Sequence, residues 1–334
     1  MDLSVIIVSW NVCELLRRCL QSVYRSLDPR TLGDSPLTFE VFVVDNASRD
    51  GSLSMLRREF PEVRVVANER NLGFTAANNQ ALRLASGRYL LLLNPDTEVV
   101  GDALPRLVKY MEEHPEVGVV APQLLYPDGG VQPSRRRFPT RLTGLIESTP
   151  LQRVFRGSDT LRRYYVSDVA DDQEQEVDWV VGACFLVRAT TTREVGFFDE
   201  RYFMYSEELD WCYRIKTAGW RVTYLPNARV IHYEARSSEQ DVLARDIYFH
   251  ESKCLFYGKA FGPAFGLFLR FFILATFLCQ VFEEFAKLVL MPRRRTERWQ
   301  RLRHLTRVVG WQSCRLLAVL FGKPGKGDVH AESA

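Results

Sequence analysis

The chain has 334 residues, 46% hydrophobic and 25% charged, enough apolar material to bury a full core in one large domain or two. A formal net charge of +3 is too small to imply a nucleic-acid partner. The seven cysteines (Cys13, Cys19, Cys184, Cys212, Cys254, Cys279, Cys314) show no CxxC spacing, which argues for a reducing compartment and against a zinc site.

No basic region precedes the first apolar run, so no signal peptide is expected. Val5-Ile6-Ile7-Val8 reads as a buried strand that ends at Ser9-Trp10-Asn11, and Leu15, Leu16, Cys19, Leu20 and Val23 follow at helical spacing. Residues 28–38, with two prolines, a glycine and two aspartates, read as a loop. Val41-Phe42-Val43-Val44 runs into Asp45-Asn46-Ala47-Ser48, then a helix from about Gly51 to Glu59, a strand from Val63 to Ala67 and a helix from Thr75 to Ser86. Tyr89-Leu90-Leu91-Leu92-Leu93 is a short apolar run stopped by Asn94-Pro95-Asp96-Thr97. Strands alternating with helices predict a parallel sheet, and polar residues at Asn11, Asp45 and Asp96 would then converge on one crevice at the strands' carboxyl ends.

A helix (Ala103–His114) and a strand (Val117–Ala121) come next, after which residues 123–176 lose periodicity and read as loops and short elements. Trp179 to Val187 reads as a strand interrupted by glycine, which often marks close backbone approach. Ser206 stands at an N-cap position before Glu207-Glu208-Leu209-Asp210, Gly219 fits that helix's end, and Val222–Leu225 and Val230–Tyr233 read as short strands. Ala264 to Phe282 is almost wholly apolar, interrupted by Arg270, Thr276 and Gln280, and falls short of an uninterrupted span. Beyond it, Lys287, Arg293, Arg294, Arg295, Arg298, Arg301, Arg303 and Arg307 lie among Trp299, Leu302, Leu305, Val308 and Trp311. That pattern suits a segment on an anionic membrane surface or an amphipathic helix packed on its own domain.

Several residue groups admit both chemistry and plain structure. Asn94-Pro95-Asp96 is a turn, or a place where a carboxylate takes a hard divalent ion. Glu207, Glu208 and Asp210 complement a helix dipole, or supply a general base beside the aromatic run Phe197 to Tyr205. His232 is a lone structural histidine, or completes a metal site with Asp96 and phosphate oxygens. Arg135-Arg136-Arg137 is a solvated loop, or grips a diphosphate.

Taken in order, Val43 to Ser52, then Asn71-Leu72-Gly73-Phe74 with Asn78-Asn79, then Asn94-Pro95-Asp96, then Glu207-Glu208-Leu209-Asp210 resemble family 2 glycosyltransferases, over residues 3 to about 258. The nearest branch is the bacterial rhamnosyltransferase-like one. The resemblance implies an α/β GT-A (Rossmann-like) fold with a mostly parallel sheet flanked by helices, a nucleotide-sugar donor, Mg²⁺ or Mn²⁺, and an inverting single displacement. Asp45 matches the residue that bonds the nucleotide base, and Ser9, Asn11 and Asn71 join it in the expected donor site. Asn94 and Asp96 match the DxD position, with Asp96 on the metal, and His232 matches a histidine that completes the metal site in some members. Glu208 matches the general base, with Glu207 as the competing candidate because Glu stands where Asp is usual. Asn94 in place of the first acid is common in that branch and points to L-rhamnose from dTDP-rhamnose.

The expected organisation is a catalytic domain at 1–258 (donor half to about 122, acceptor half 123–258), membrane-associated helices at 259–322 and a flexible tail at 323–334. The expected function is transfer of a sugar to a lipid-linked or polysaccharide acceptor in cell-envelope glycan synthesis, at the cytoplasmic face of an anionic membrane. Two other classes compete. A nucleotidyltransferase would carry a glycine-rich phosphate loop after the first strand, where Ser9-Trp10-Asn11-Val12 has none. A non-catalytic scaffold would have no need of Asp45, Asp96 and Glu208 together.

Overall fold

The computed structural model describes residues 1–28, 37–234, 241–290 and 295–321. Most of the loop expected at 28–38, together with Arg293, Arg294 and the tail at 323–334, lies outside the described residues. In chain order the elements are β1 (Leu3–Ser9), α1 (Cys13–Ser26), β2 (Phe39–Asp45), α2 (Ser52–Glu59), β3 (Arg64–Ala67), α3 (Phe74–Leu84), β4 (Tyr89–Leu93), β5 (Thr97–Val100), α4 (Ala103–Glu113), β6 (Val117–Leu125) and β7 (Arg135–Arg136). There follow α5 (Arg141–Ile146), α6 (Leu151–Val154), α7 (Asp159–Tyr164), β8 (Gln175–Val177), β9 (Trp179–Val180), β10 (Cys184–Arg188), α8 (Ala189–Val195), α9 (Glu207–Thr217), β11 (Arg221–His232), α10 (Val242–Phe261), α11 (Pro263–Leu290) and α12 (Arg295–Phe321).

The chain divides into two units, residues 1–138 with 162–237, and 139–161 with 238–334. The first holds a sheet in the order β3-β2-β1-β4-β10-β6-β11-β5, with β8 added on β11. Pairing is parallel through β3-β2-β1-β4 and between β6 and β11, and antiparallel elsewhere. The parallel part arises because β1, β2 and β4 are apolar on both faces. Val5, Ile7, Val43, Leu91 and Leu93 pack with Leu16 and Leu20 of α1, Leu56 of α2 and Leu107 of α4. On β10, Phe185 meets Trp211 of α9 edge-on at 6.1 Å.

Three expectations change in ways that shape the site. Trp179 to Val187 is two strands, β9 against β7 and β10 in the main sheet, with Gly182 in the break. Val222–Leu225 and Val230–Tyr233 are one strand, β11, whose register against β6 shifts between Leu225 and Arg229. Proline is tolerated at such a bulge, so Pro226 bends the strand without ending it. The third change is β5, too short to stand out in sequence. It pairs antiparallel with β11 and sets Thr97 opposite His232.

In the second unit, α10 stands with the C-terminal helices, where the sequence suggested a catalytic domain to 258. The reason is local. Lys253 bonds the Glu147 backbone carbonyl and lies 3.0 Å from its carboxylate, and Tyr257 packs so closely that a Cβ on Gly144 would overlap its ring at 2.4 Å. α10 and α11 also touch backbone to backbone, since a Cβ on Gly266 would lie 2.7 Å from the Gly258 Cα. The apolar stretch is longer than expected. α11 has 28 residues, mean hydropathy 2.0 in its best window and 28% of that window buried, long and apolar enough by those measures to cross a membrane.

The junction before β4 supplies a direct stability test. A Cβ on Gly87 would lie 2.6 Å from the Ser4 amide nitrogen, whereas nothing comes within 4 Å at Gly157. Gly87→Ala is expected to lower the unfolding free energy by about 1–3 kcal/mol in a urea titration. Gly157→Ala should stay within about 0.5 kcal/mol of the parent.

Candidate active site

The carboxyl ends of β1, β2 and β4 share one edge of the sheet. Ser9 stands opposite Asp45 in the ladder, and the Asn46 amide donates to the Ser9 carbonyl at 2.9 Å. Both Ser9 and Asp45 are fully buried. Asp45 Oδ2 accepts the Ser48 amide at 3.0 Å, but Asp45 Oδ1 and Ser9 Oγ have no partner among the described residues. Unpaired buried acceptors are costly and therefore uncommon. Here they face the end of a sheet where a ligand's donors would satisfy them.

The next strand brings a second pair together. The Asp96 carbonyl accepts the Tyr233 amide at 2.9 Å, extending the β5–β11 ladder by one step. His232 Nε2 consequently lies 3.5 Å from Asp96 Oδ1, with both residues buried. On its other side, His232 Nδ1 lies 2.9 Å from Gln132 Oε1. The amide oxygen can only accept, so Nδ1 carries a proton, and in the neutral ring Nε2 presents a lone pair toward the carboxylate. Two acceptors facing each other across that gap suit a cation. Among the described residues no group of three or more His, Cys, Asp or Glu side chains is placed to hold a metal. These two would therefore hold a divalent ion only with ligand or water oxygens completing its shell, as is common for Mg²⁺.

The third component is the start of α9. Tyr205 and Ser206 have φ of 69° and 61°, an uncommon left-handed pair for residues with side chains, and they turn the chain sharply into Glu207 and Glu208. Ser206 occupies the expected N-cap position but its side chain makes no capping bond; its carbonyl accepts the Asp210 amide at 2.9 Å. Glu208 Oε1 accepts the Gly182 amide at 3.3 Å, and the adjacent Ala183 carbonyl accepts the Asn94 amide at 2.8 Å. Oε2 of both glutamates lacks a partner among the described residues. Burial and the neighbouring Glu208 charge hold the Glu207 carboxyl well above the usual carboxylate range. Burial also raises Glu208, offset in part by backbone amides and the Arg136 charge. A raised carboxyl close to a ligand edge is suited to taking a proton near neutral pH.

Comparison with known proteins now identifies the framework. The glycosyl transferase family 2 profile matches residues 4–213. The chain belongs to glycosyl transferase family 2. One relative, the N-acetylglucosaminyl-diphospho-decaprenol L-rhamnosyltransferase of Mycobacterium tuberculosis, is 30% identical over 227 residues, 65% of this chain and 73% of that protein. Rhamnosyltransferase WbbL of Escherichia coli K12 is 32% identical over 171 residues, 48% of this chain and 61% of its own length. Among solved structures, the mannosyltransferase PcManGT of Pyrobaculum calidifontis, in complex with GDP-Man and Mn²⁺, has a TM-score of 0.52 and 17% identity, covering 95% of this chain and 87% of that one. The fold is GT-A and the chain is a rhamnosyltransferase-like glycosyltransferase.

Several of the expected site residues in this family 2 enzyme are also tied to neighbouring backbone or side chains. Asn11, left-handed at φ 53°, accepts the Arg49 amide at 2.8 Å through Oδ1. Asn71 Oδ1 accepts the Gly73 amide at 2.9 Å, a local turn bond. Both brace loops beside the sheet edge. Asn94 is held through its backbone, its carbonyl accepting the Thr97 hydroxyl at 2.7 Å. Asp210 lies fully buried against Arg214 at 2.9 Å, inside the helix. The three arginines have structural partners. Arg135 donates to the Val169 and Ala170 carbonyls, Arg136 lies 4.7 Å from the Tyr165 ring, and Arg137 pairs with Asp168 at 2.8 Å. Phe198 and Tyr202, expected to wall the glutamates, are buried core, Phe198 lying 4.4 Å from Trp211. Gln132 carried no signal in the sequence, because an isolated glutamine in an aperiodic segment matches no motif.

The buried acid pair has a consequence for stability. Between the ordinary carboxyl range and the raised native value, the folded state binds more protons than the unfolded one. Stability is therefore lost as pH rises through that window. Glu207→Gln is expected to raise the urea midpoint relative to the parent at pH 8, with the difference vanishing toward pH 4. A difference independent of pH would contradict the assigned burial of that charge.

Proposed function

We propose that this enzyme transfers L-rhamnose from dTDP-rhamnose to a membrane-borne, lipid-linked acceptor in cell-envelope glycan synthesis, at the cytoplasmic face, by inverting single displacement. The observation that carries the reading is the convergence at one end of the sheet of Ser9 and Asp45, each with an unpartnered buried oxygen among the described residues, and of Asp96 with His232 3.5 Å away. The named activities of the Mycobacterium and Escherichia relatives support rhamnosyl transfer, and the first of those names supports a lipid diphosphate acceptor.

Each role follows from the chemistry of its atoms. Asp45 Oδ1 and Ser9 Oγ accept hydrogen bonds from the donor's base and sugar. Asp96 and His232 hold Mg²⁺ or Mn²⁺, which when bound neutralises charge on the departing diphosphate; the Mn²⁺ complex of the archaeal neighbour supports that choice. Gln132 keeps the proton on His232 Nδ1, so Nε2 remains a ligand. Glu208, less buried than Glu207 and anchored through the Gly182 amide, takes the proton from the acceptor hydroxyl as its oxygen attacks the anomeric carbon from the face opposite the leaving group. Glu207, the more deeply buried of the two, stands at the helix start with its carboxyl held well above the usual range by burial and the neighbouring Glu208 charge.

The decisive assay pairs a synthetic N-acetylglucosaminyl-diphospho-lipid with dTDP-rhamnose, UDP-glucose and GDP-mannose in turn. Transfer with dTDP-rhamnose alone is expected, and transfer with only the UDP or GDP sugar would overturn the donor assignment. Glu208→Gln should reduce turnover about 10²- to 10⁴-fold while dTDP affinity stays unchanged. If Glu207→Gln alone has that effect, the base is Glu207.

A further inference from the structure

Helix α11 is apolar on both sides. Its inward side buries Leu269, Ile273 and Phe277 and also takes two charges. Arg270 makes two bonds of 2.6 Å to Glu251 of α10, and buried Glu284 lies 3.3 Å from Arg298 and 3.6 Å from Arg301 of α12. Its outward side is apolar. Phe268, Phe271, Leu278, Phe282, Phe285 and Val289 are all exposed, from 46% to 75%. With exposed Ala275 they recur at alternating spacings of three and four, a single stripe roughly 32 Å long. Among the described residues of α11, Glu283 and its partner Lys287 border it with charge.

Length and hydropathy alone would let α11 cross a bilayer, but its neighbour rules against that. α12 lies antiparallel along it. Arg298 and Arg301 reach Glu284 near one end, and Arg315 shares Glu251 with Arg270 toward the other, at 2.9 Å. α12 carries Arg295, Arg298, Arg301, Arg303, Arg307 and Arg315. A spanning α11 would draw those arginines into hydrocarbon, where they are among the least tolerated side chains. A helix lying flat avoids this and still covers the stripe. Exposed Trp299, Arg303 and Arg307 on α12 supply an interfacial aromatic and positive charge for anionic headgroups. A second copy of the chain is a poorer occupant. It would fit the three-four spacing of the stripe, but it would leave the exposed Arg303 and Arg307 facing like charge where anionic headgroups give them partners.

We propose that α11 is a monotopic anchor, lying in the plane of one leaflet with its Phe268-to-Val289 stripe sunk to the headgroup–acyl boundary of an anionic membrane. The proposal rests on the membrane-borne acceptor and fixes how the enzyme meets that surface. The test uses the full chain with phosphatidylcholine vesicles, with and without phosphatidylglycerol. Cys13, Cys279 and Cys314 are replaced by serine, and Phe268→Cys, Ala275→Cys, Phe282→Cys and Val289→Cys each carry one fluorophore. Lipids brominated at graded depths should quench all four equally and shallowly. A profile deepest at 275 and 282 means a span and overturns the proposal, as does absence of quenching. Phe271→Glu with Phe282→Glu should weaken co-sedimentation with phosphatidylglycerol vesicles at least about tenfold, while transfer to a short-chain soluble acceptor stays at the parent rate. A vesicle-free dimer abolished by the same pair would assign the stripe to a second copy. A parent enzyme that transfers sugar but does not dock on phosphatidylglycerol vesicles defeats this inference alone, and a parent that docks but transfers nothing defeats the functional reading alone.

Discussion

Gly182 and Ala183, in the break between β9 and β10, tie the elements of the candidate site together. The Ala183 carbonyl takes the Asn94 amide at 2.8 Å, and the Gly182 amide reaches Glu208 at 3.3 Å. One short backbone link thus spaces the turn that carries Asp96 from the helix that carries the acid pair. It exists because β10 enters antiparallel between β4 and β6. A continuous strand from 179 to 187 would have left no turn there. A Cβ at position 182 would meet the Glu208 carboxylate at 3.5 Å, ordinary contact. The position therefore acts through its backbone amide, which any residue but proline would supply.

Around that link, the site is built from groups whose hydrogen bonding is deliberately incomplete. Ser9 Oγ, Asp45 Oδ1 and one oxygen each of Glu207 and Glu208 are buried without partners among the described residues. In a stable core such atoms are a penalty of order 1–3 kcal/mol each. Of the seven such side-chain atoms in the first unit, these four lie on elements that converge at one end of the sheet, where a ligand would complete them. The left-handed pair Tyr205 and Ser206 adds backbone strain at the same place. Tight packing of Trp211, Tyr202 and Phe185 supplies the rigidity that maintains it.

Much of this is legible in the sequence, and for definite reasons. The buried strands β1, β2 and β4 announce themselves as apolar runs ending in polar residues, so Asp45 and Asp96 can be placed before any coordinates. What the sequence hides is long-range pairing. Thr97 to Val100 is too short to read as a strand, yet its ladder with β11 brings His232 to Asp96. Pro226 reads as a strand break but sits in a bulge. Gln132 gains its role only through contact with a histidine a hundred residues away. Asn11 and Asn71 fit the family pattern, but their side-chain oxygens are engaged by local backbone amides, a competition that motif spacing cannot reveal. In the helical unit, composition marks α11 as apolar, but only the packing tells which side is charged.

The central claim is that Asp96 and His232 form a divalent-cation site completed by the donor diphosphate. Calorimetric titration of dTDP tests it most directly, in Mn²⁺ and after chelation, on the parent enzyme and on His232→Ala. Binding should require Mn²⁺ in the parent and weaken at least about tenfold in the variant, in line with the loss of one metal ligand. Equal binding with and without metal, or an unchanged affinity in His232→Ala, would contradict it.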